Sequence, residues 1–144
     1  MNGYLENLEI RRYKASHEAQ LIDLWKECNL VVPPNDPQRD IHNKLTFQPD
    51  FLYVGTVEDR LVASVMVGYE GHRGWINYLA VSPEFQRKGI GRRMMEFAED
   101  AVIHLGCPKI NLQVRTANKS VIAFYETIGF KKEDRVSLGK RLKP

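Results

Sequence analysis

Three apolar segments of β type, separated by short polar turns, occupy the middle of the chain. The segments Phe51 to Val57 and Leu61 to Tyr69 are rich in β-branched and aromatic residues, and Glu58-Asp59-Arg60 forms the turn between them. Gly71 to Gly74 mark the next turn, after which a third segment extends from Trp75 to Val81. Strands joined by such short connections usually pair as neighbours, so the pattern predicts an antiparallel meander.

Apolar residues at helical spacing flank this meander. Before it, Ser16 and Asp36 are typical N-cap residues, the second followed by Pro37, and they predict two helices within residues 16–45. After it, a long amphipathic helix begins near Gly89 and is ended by Gly106 and Pro108. The apolar face of this helix comprises Ile90, Met94, Phe97, Ala98, Ala101 and Leu105.

The remaining segments complete the predicted fold. Lys109 to Arg115 has a strand pattern, a helix begins after Asn118 and ends at Gly129, and Phe130 to Lys143 supplies one or two closing strands. The connection from Trp75 to Val114 is expected to be a right-handed crossover, so its two strands should be parallel. We therefore predict an α/β (α+β) fold with a mixed, largely antiparallel central sheet and helices on both faces, as a single domain over residues 1–144.

Composition excludes several classes of protein. The chain has 144 residues and a formal net charge of +3, and its basic residues are dispersed over several elements, which argues against a nucleic-acid partner. Cys28 and Cys107 lie far apart without metal-ligand spacing, so we expect free thiols and no metal. No segment resembles a signal peptide or is apolar enough to span a bilayer, so we expect a cytoplasmic protein with no membrane partner.

The strongest candidate for ligand binding is the stretch Gln86-Arg87-Lys88-Gly89-Ile90-Gly91, between the third strand and the long helix. Glycine allows close approach of the backbone, and a helix start provides unpaired N–H groups and partial positive charge. The stretch therefore favours a phosphate or diphosphate site, although a tight loop required only by chain geometry has the same pattern. It lacks the third glycine of a dinucleotide-binding fold and the Gly-Lys-Ser/Thr of a P-loop.

Two motifs at a fixed separation resemble those of the GCN5-related N-acetyltransferases (the GNAT family). The stretch from Gln86 to Gly91, after Asn77 to Phe85, is similar to the family pattern Gln/Arg-x-x-Gly-x-Gly/Ala, and Asn118 to Phe130 is similar to Asn…Tyr-Glu-x-x-Gly-Phe. The resemblance extends from about Ile10 to the end of the chain and is specific from Tyr78 to Phe130. Within the family, the chain resembles the small bacterial members that are similar to ribosomal-protein alanine N-acetyltransferases.

This resemblance implies the acyl-CoA N-acyltransferase fold, with an acetyl-CoA-binding core at about 75–130 and acceptor-side helices at about 16–45. It implies transfer of an acetyl group from acetyl-CoA to a primary amine of a small molecule or a protein, by direct attack. The implied cofactor-binding residues are Leu79, Ala80 and Val81 along the pantetheine arm, Gln86, Arg87, Lys88, Gly89, Ile90, Gly91 and Arg92 around the diphosphate, and Asn118 near the arm. The alternatives are a helix cap for Asn118 and a solvated helix face for Arg92 and Arg93.

Tyr125 is the catalytic residue that the resemblance implies. A tyrosine hydroxyl at this position would protonate the departing thiolate, and the alternative is a core tyrosine beside Phe124. The general base stays open, because Gln113 occupies the place of a glutamate found in relatives that acetylate protein N-termini. The remaining candidates are Glu70, His72 and a water ordered by Asn77 or Tyr78.

The acceptor side also leaves alternatives open. Asn35, Asp36 and Asp40 could recognise a cationic amine, but Asp36 also fits an N-cap and Asp40 a solvated charge in the first turn of a helix. Trp25 and Trp75 are expected in the core or in a cleft wall, with the core favoured. The alternative function is a non-catalytic acetyl-CoA-binding sensor or regulatory module, and a homodimer is one option for the oligomeric state.

Overall fold

The computed structural model describes the backbone of residues 3–143 and the side chains from Leu5 onward. The chain divides into two compact units, the first ending at Gln113 and the second beginning at Val114. The organisation as a single domain stays a prediction.

The first unit is built on one mixed sheet, which confirms the predicted fold class. Among the described residues its strands are β1 (Leu8–Arg12), β2 (Leu52–Val57), β3 (Arg60–Tyr69), β4 (Gly74–Val81) and β5 (Ile110–Asn111). They lie side by side in sequence order, antiparallel from β1 to β4 and parallel between β4 and β5. The predicted meander and the predicted parallel pair are both confirmed.

The helices of the described residues are α1 (Gly3–Glu6), α2 (Glu18–Glu27), α3 (Pro37–Phe47), α4 (Ile90–Ile103) and, in the second unit, α5 (Lys119–Thr127). Asp36 caps α3 as predicted, because its carboxylate accepts a hydrogen bond from the backbone N–H of Arg39 at 3.2 Å. Ser16 does not cap α2, because it lies inside a 3₁₀ turn (Ala15–His17) after which α2 begins. The short helix α1 was not predicted.

Helices α2 and α4 cover opposite faces of the sheet. Val54 of β2 belongs to the buried cluster that contains Leu21, Leu24 and Trp25 of α2. The neighbouring Tyr53 contacts Phe97 of α4, with ring centroids 4.9 Å apart. Successive side chains of a strand point to opposite faces, so the sheet lies between these two helices and buries an apolar layer on each side.

Two segments near the end of the chain have less strand structure than predicted. The strand expected over residues 109–115 is reduced to the two residues of β5. In the second unit, residues 130–143 form no strand, contrary to the prediction. The side chains of Val136 and Leu138 in this segment are 84% and 90% exposed. A segment that buries so little apolar surface gains little to offset the entropy cost of ordering it as a strand.

Candidate active site

The outer edge of β4 is open along most of its length. Within the first unit, β5 pairs with β4 only through Gly74↔Ile110 and Trp75↔Asn111. From Ile76 to Val81 the described part of that unit provides no strand on this side. The backbone groups of β4 that point away from β3 are therefore not paired with another strand there. Such an edge can bind an extended ligand through main-chain hydrogen bonds, as a strand would bind.

A bulge interrupts β4 in the middle of this open edge. Ser64 of β3 pairs with Ala80, whereas Met66 pairs with Asn77, so β4 has one residue more than β3 over this interval. Tyr78 takes up the difference with φ of +52°, a left-handed conformation that costs a non-glycine residue roughly 1–2 kcal/mol. The register assigns no β3 partner to Tyr78 or Leu79. A bulge of this kind redirects the backbone, here at the position of Leu79.

A closed set of contacts holds the bulge in place. The Trp25 ring, which is fully buried, stacks on the Tyr78 ring with centroids 3.8 Å apart and planes 14° apart. The Trp25 Nε1–H donates to Ser64 Oγ at 2.9 Å, and the Ser64 hydroxyl donates to the Tyr78 carbonyl oxygen at 2.8 Å. Helix α2 and strand β3 therefore fix both the side chain and the backbone of the bulge residue.

The loop that follows β4 has the geometry of an anion cradle. Arg87 and Gly89 both have positive φ, +62° and +83°, and Gly89 is the N-cap of α4. The backbone N–H of Arg93 donates to the Gly89 carbonyl at 3.2 Å and so begins the helical ladder. The N–H groups of the first turn, before Arg93, have no acceptor within the helix. Ile90 is buried and anchors the helix start to the core.

The space at Gly89 is restricted as well as its conformation. A Cβ added at Gly89 would lie 3.2 Å from Leu5 Cδ1, so any side chain there would crowd Leu5. The Gln86 amide donates through Nε2 to the Val81 carbonyl at 2.9 Å, which ties the loop to the end of β4. The residues present thus fit a diphosphate, which needs backbone N–H groups, positive charge and no obstructing side chain.

The basic residues of the loop differ in their surroundings. Arg87 is exposed, whereas Lys88 is half-buried. The exposed Arg92 forms an ion pair with Glu96 one turn further along α4, at 3.3 Å. The Arg92 side chain therefore lies on an exposed helix face, which was the alternative to phosphate binding. A contribution of Arg92 to a diphosphate site would come from its backbone N–H.

On the acceptor side, Asp40 of α3 is joined to the bulge. The Tyr78 hydroxyl donates to Asp40 Oδ2 at 2.5 Å. Burial, followed by the hydrogen bond to Asp40 and the charge of Asp40, raises the pKa of Tyr78 well above its usual value, so this hydroxyl keeps its proton. Of the three acceptor candidates, Asp36 is an N-cap and Asn35 is exposed, so Asp40 is the one that this hydrogen bond connects to β4.

Lys44 of α3 and Gln48, directly after the helix, bind the end of β3. Lys44 Nζ donates to the Val67 carbonyl and, at 3.0 Å, to Gln48 Oε1, and Gln48 Nε2 donates to the Tyr69 carbonyl at 2.9 Å. Lys44 is only 8% exposed, and burial lowers its pKa to about 8. These side chains satisfy backbone carbonyls at the part of β3 that extends beyond the start of β2.

Two exposed side chains of β4 lie on the same sheet face as α3. Trp75 pairs with Gly68, whose missing side chain would point to Gln48 Oε1 and Lys44 Nζ, 3.4 and 3.6 Å away. Asn77 pairs with Met66, a member of the core cluster on that face. Directly paired residues share a face, so Trp75 and Asn77 face the α3 side. Trp75 is 39% exposed, and its expected place in the core is wrong.

The carboxylate of Glu70 closes the turn between β3 and β4. It accepts hydrogen bonds from the backbone N–H groups of His72 and Arg73, both at 2.5 Å. These two bonds lower the pKa of the exposed carboxylate. These contacts are those of a turn residue, which was the alternative to a catalytic base for Glu70. His72 is exposed in the same turn.

The second unit contains the two other residues of the implied site. Tyr125 is 8% exposed and makes edge-to-face contacts with Phe124 and Phe130, with centroids 5.1 and 5.4 Å apart. Burial raises the pKa of Tyr125 to about 12, so the hydroxyl is protonated at neutral pH. Asn118 occupies the N-cap position of α5, but its side chain makes no capping hydrogen bond.

Residues 3–143 contain no cluster of three or more His, Cys, Asp or Glu side chains with the arrangement of a metal site. None of the helices in the same range has the length and apolar character needed to cross a bilayer.

Comparisons with known proteins agree with this geometry. The model of the acetyltransferase (GNAT) family matches residues 18–130. The chain is 42% identical over 135 residues to acetyltransferase YE1169 of Yersinia enterocolitica, an alignment that covers 94% of this chain and 96% of the relative. The solved ribosomal-protein-S18-alanine N-acetyltransferase of Escherichia coli is similar with a TM-score of 0.73 and 21% identity, over 88% of this chain and 79% of that one.

A second solved structure, aminoglycoside N-acetyltransferase AAC(6')-Iy in complex with CoA, is similar with a TM-score of 0.73 and 15% identity, over 94% of this chain and 95% of that one. The chain thus shares its fold with solved N-acetyltransferases. The chain belongs to the GNAT family of acetyltransferases.

Sequence reasoning missed part of this arrangement. Ser64 was not considered, although a single hydroxyl within the apolar segment Leu61–Val67 is a signal of a specific buried hydrogen bond. Lys44 and Gln48 were also missed, although they follow Asp40 at intervals of four residues and so share one face of α3.

Proposed function

We propose that this protein transfers the acetyl group of acetyl-CoA to a primary amine in a direct reaction between the two bound substrates. The observation that carries the proposal is the continuity of β4 with the loop after it. An edge open from Ile76 to Val81 leads into a helix start with left-handed residues at positions 87 and 89. An extended arm ending in a diphosphate matches both parts.

The cosubstrate would bind through the backbone of the first unit. Leu79, Ala80 and Val81 would pair with the pantetheine arm. The N–H groups from Gln86 through Arg92, a set that includes Arg87, Lys88, Gly89, Ile90 and Gly91, would bind the diphosphate. The name of the solved aminoglycoside N-acetyltransferase complex states that CoA is bound to that protein, and a similar fold here supports the same cosubstrate. Asn118, whose side chain makes no capping bond, would contact the arm.

Leu79 and Tyr125 would act on the reacting thioester. The bulge leaves Leu79 without a β3 partner, so its backbone N–H is available to polarise the thioester carbonyl. The amine would attack the carbonyl carbon, and the bond to sulfur would break. Tyr125, whose raised pKa keeps its hydroxyl protonated, would give its proton to the leaving thiolate.

The acceptor is proposed as an amine of a small molecule or of a protein. The two similar solved enzymes are named for a ribosomal protein and for aminoglycosides, which are both amine acceptors. Gln113 cannot serve as a base, so N-terminal acetylation of a ribosomal protein is the weaker of these options. We propose a cytoplasmic location. For the oligomeric state, a homodimer is one option, which a measurement of the molecular mass in solution would test.

An acetyl-CoA consumption assay tests the function. Free thiol is measured with acetyl-CoA and four amines in turn: spermidine, kanamycin, lysine ethyl ester and a peptide with N-terminal alanine. An enzyme releases thiol with at least one amine above the rate without acceptor. A non-catalytic acetyl-CoA sensor, the second candidate, binds acetyl-CoA in calorimetry but releases no thiol with any amine.

A further inference from the structure

Proton removal from the acceptor is the step for which the sequence assigned no residue. A neutral amine acquires positive charge as it attacks a carbonyl carbon, and the product amide forms only when that nitrogen loses a proton. Of the candidate side chains named from the sequence, Glu70 is engaged by two backbone N–H groups of its turn, and His72 is exposed in the same turn. Gln113, which stands in place of the glutamate of some relatives, has no basic group.

The hydrogen-bonded pair of Tyr78 and Asp40 adjoins the residue proposed to polarise the thioester. Tyr78 directly precedes Leu79, to which we assign the thioester carbonyl, and it is fixed there by stacking on Trp25. Its hydroxyl oxygen accepts one proton as it donates another, and Asp40 Oδ2 lies 2.5 Å away to receive the donated one. Both residues are half-buried, and Trp75 and Asn77 are exposed on the α3 side of the sheet.

We propose that Tyr78 and Asp40 form a proton relay that accepts the proton of the attacking amine. This proposal rests on the proposed function. As the C–N bond forms, the nitrogen gives a proton to Tyr78 Oη while the Tyr78 hydroxyl passes its own proton to Asp40. The C–S bond then breaks, and the thiolate takes a proton from Tyr125. Asp40 returns its proton to solvent and Tyr125 regains one, so amine and thioester yield amide and thiol.

The surroundings of the pair suit this task. Strand β4 contributes the Tyr78 hydroxyl itself, helix α2 presents the uncharged Trp25 ring, and Lys44 follows Asp40 one turn further along α3. Lys44 donates to the Val67 carbonyl and to Gln48. Lys44 is thus engaged elsewhere, and Asp40 Oδ2 accepts its hydrogen bond from the uncharged hydroxyl of Tyr78.

Two near-isosteric variants test the relay. Asp40→Asn keeps an oxygen that accepts from Tyr78 but cannot take a proton, and Tyr78→Phe keeps the ring that stacks on Trp25. Each is assayed with the best alkylamine of the four-amine panel and with methoxyamine, which is uncharged at neutral pH and whose adduct loses its proton readily to water. Glu70→Gln is the matched carboxylate control.

We expect kcat for the alkylamine to fall about 10²- to 10³-fold in both variants. With methoxyamine, kcat should fall less than about tenfold, because the adduct can lose its proton to water without the relay. The Kd for acetyl-CoA and the unfolding midpoint should stay near those of the parent protein, and Glu70→Gln should keep the parent kcat.

Three results would overturn the relay. One is an Asp40→Asn variant with parental kcat for the alkylamine. Another is an equal loss with the alkylamine and with methoxyamine, which would indicate a merely structural role. Failure of the unmodified protein to acetylate any amine would overturn the proposed function and the relay together, whereas turnover by the parent with unimpaired variants overturns the relay alone.

Discussion

Replacing Gly89 by alanine tests the proposed role of this residue in ligand binding separately from its role in folding. Gly89 has φ of +83°, a conformation that costs an L-residue roughly 1–2 kcal/mol. The added Cβ would also lie 3.2 Å from Leu5 Cδ1, the end of a flexible side chain that is able to move by a few tenths of an ångström. The backbone cost therefore dominates.

That cost should appear in acetyl-CoA affinity to the extent that the free loop relaxes, and in stability to the extent that it does not. Without ligand, the loop of Gly89→Ala relieves the strain by leaving the left-handed region, and binding must then restore the conformation that directs the N–H groups to the diphosphate. A cost of about 1–2 kcal/mol weakens binding by about 5- to 30-fold. Gly89→Glu adds bulk and negative charge at the same point, so its affinity should fall further.

Gly106 provides a matched control at the other end of α4, about 20 Å along the helix. It has φ of +81°, and nothing lies within 4 Å of its added Cβ. Gly106→Ala should lose similar stability in chemical denaturation but retain parental affinity in calorimetry with acetyl-CoA. The reasoning is refuted if Gly89→Ala and Gly89→Glu bind acetyl-CoA as tightly as Gly106→Ala does.

Three further substitutions test other parts of the site. Tyr125→Phe should lower kcat by about 10²-fold or more and leave the Kd for acetyl-CoA unchanged, and full turnover would show that another group donates the proton. Ser64→Ala should lower the free energy of unfolding by about 1–3 kcal/mol, since the Trp25 Nε1–H and the Tyr78 carbonyl lose their partner, and parental stability would contradict the described contacts. Between pH 8 and its ordinary pKa of 10.5, Lys44 carries a proton in the unfolded chain but not in the folded one. The free energy of unfolding should therefore rise with pH in that window, by up to about 3 kcal/mol. Lys44→Met should abolish this part of the rise in urea denaturation, and an unchanged slope would contradict the lowered pKa.

The sequence predicted helices, strands and turns well where interactions within a few residues determine the structure. The meander follows from short turns between β-type segments, and the cap of α3 follows from Asp36 and Pro37, which act within a few residues of each other. The parallel pairing of β4 with β5 follows from the crossover connection. The motif at residues 86–91 located the helix start, because glycine at a positive φ is a local requirement.

The bulge could not be predicted, because register depends on two strands and a helix together. Trp25 and Ser64 are 39 residues apart in sequence, and their hydrogen bond exists only after α2 packs on β3. The exposure of Trp75 has a similar origin. β5 stops after two residue pairs, so the edge beside Trp75 is not covered by a long fifth strand, although the apolar character of the residue suggested the core.

In the proposed mechanism, polar side chains of α3 and its C-terminal end would link acceptor binding to the geometry of β4. Asp40 is bonded to Tyr78 at the bulge, and Lys44 and Gln48 are bonded to carbonyls of β3 just beyond the start of β2. Those β3 residues pair with the first residues of β4, so the same helix is fastened to both strands around the bulge. If the amine and the thioester bind as proposed, a displacement of α3 by the acceptor would strain the backbone at Leu79, and a rigid α3 would keep the two reactants in a fixed relation. Fixed orientation of two reactants lowers the entropic part of the barrier, so the contacts of Asp40, Lys44 and Gln48 would favour the reaction by holding α3 in place.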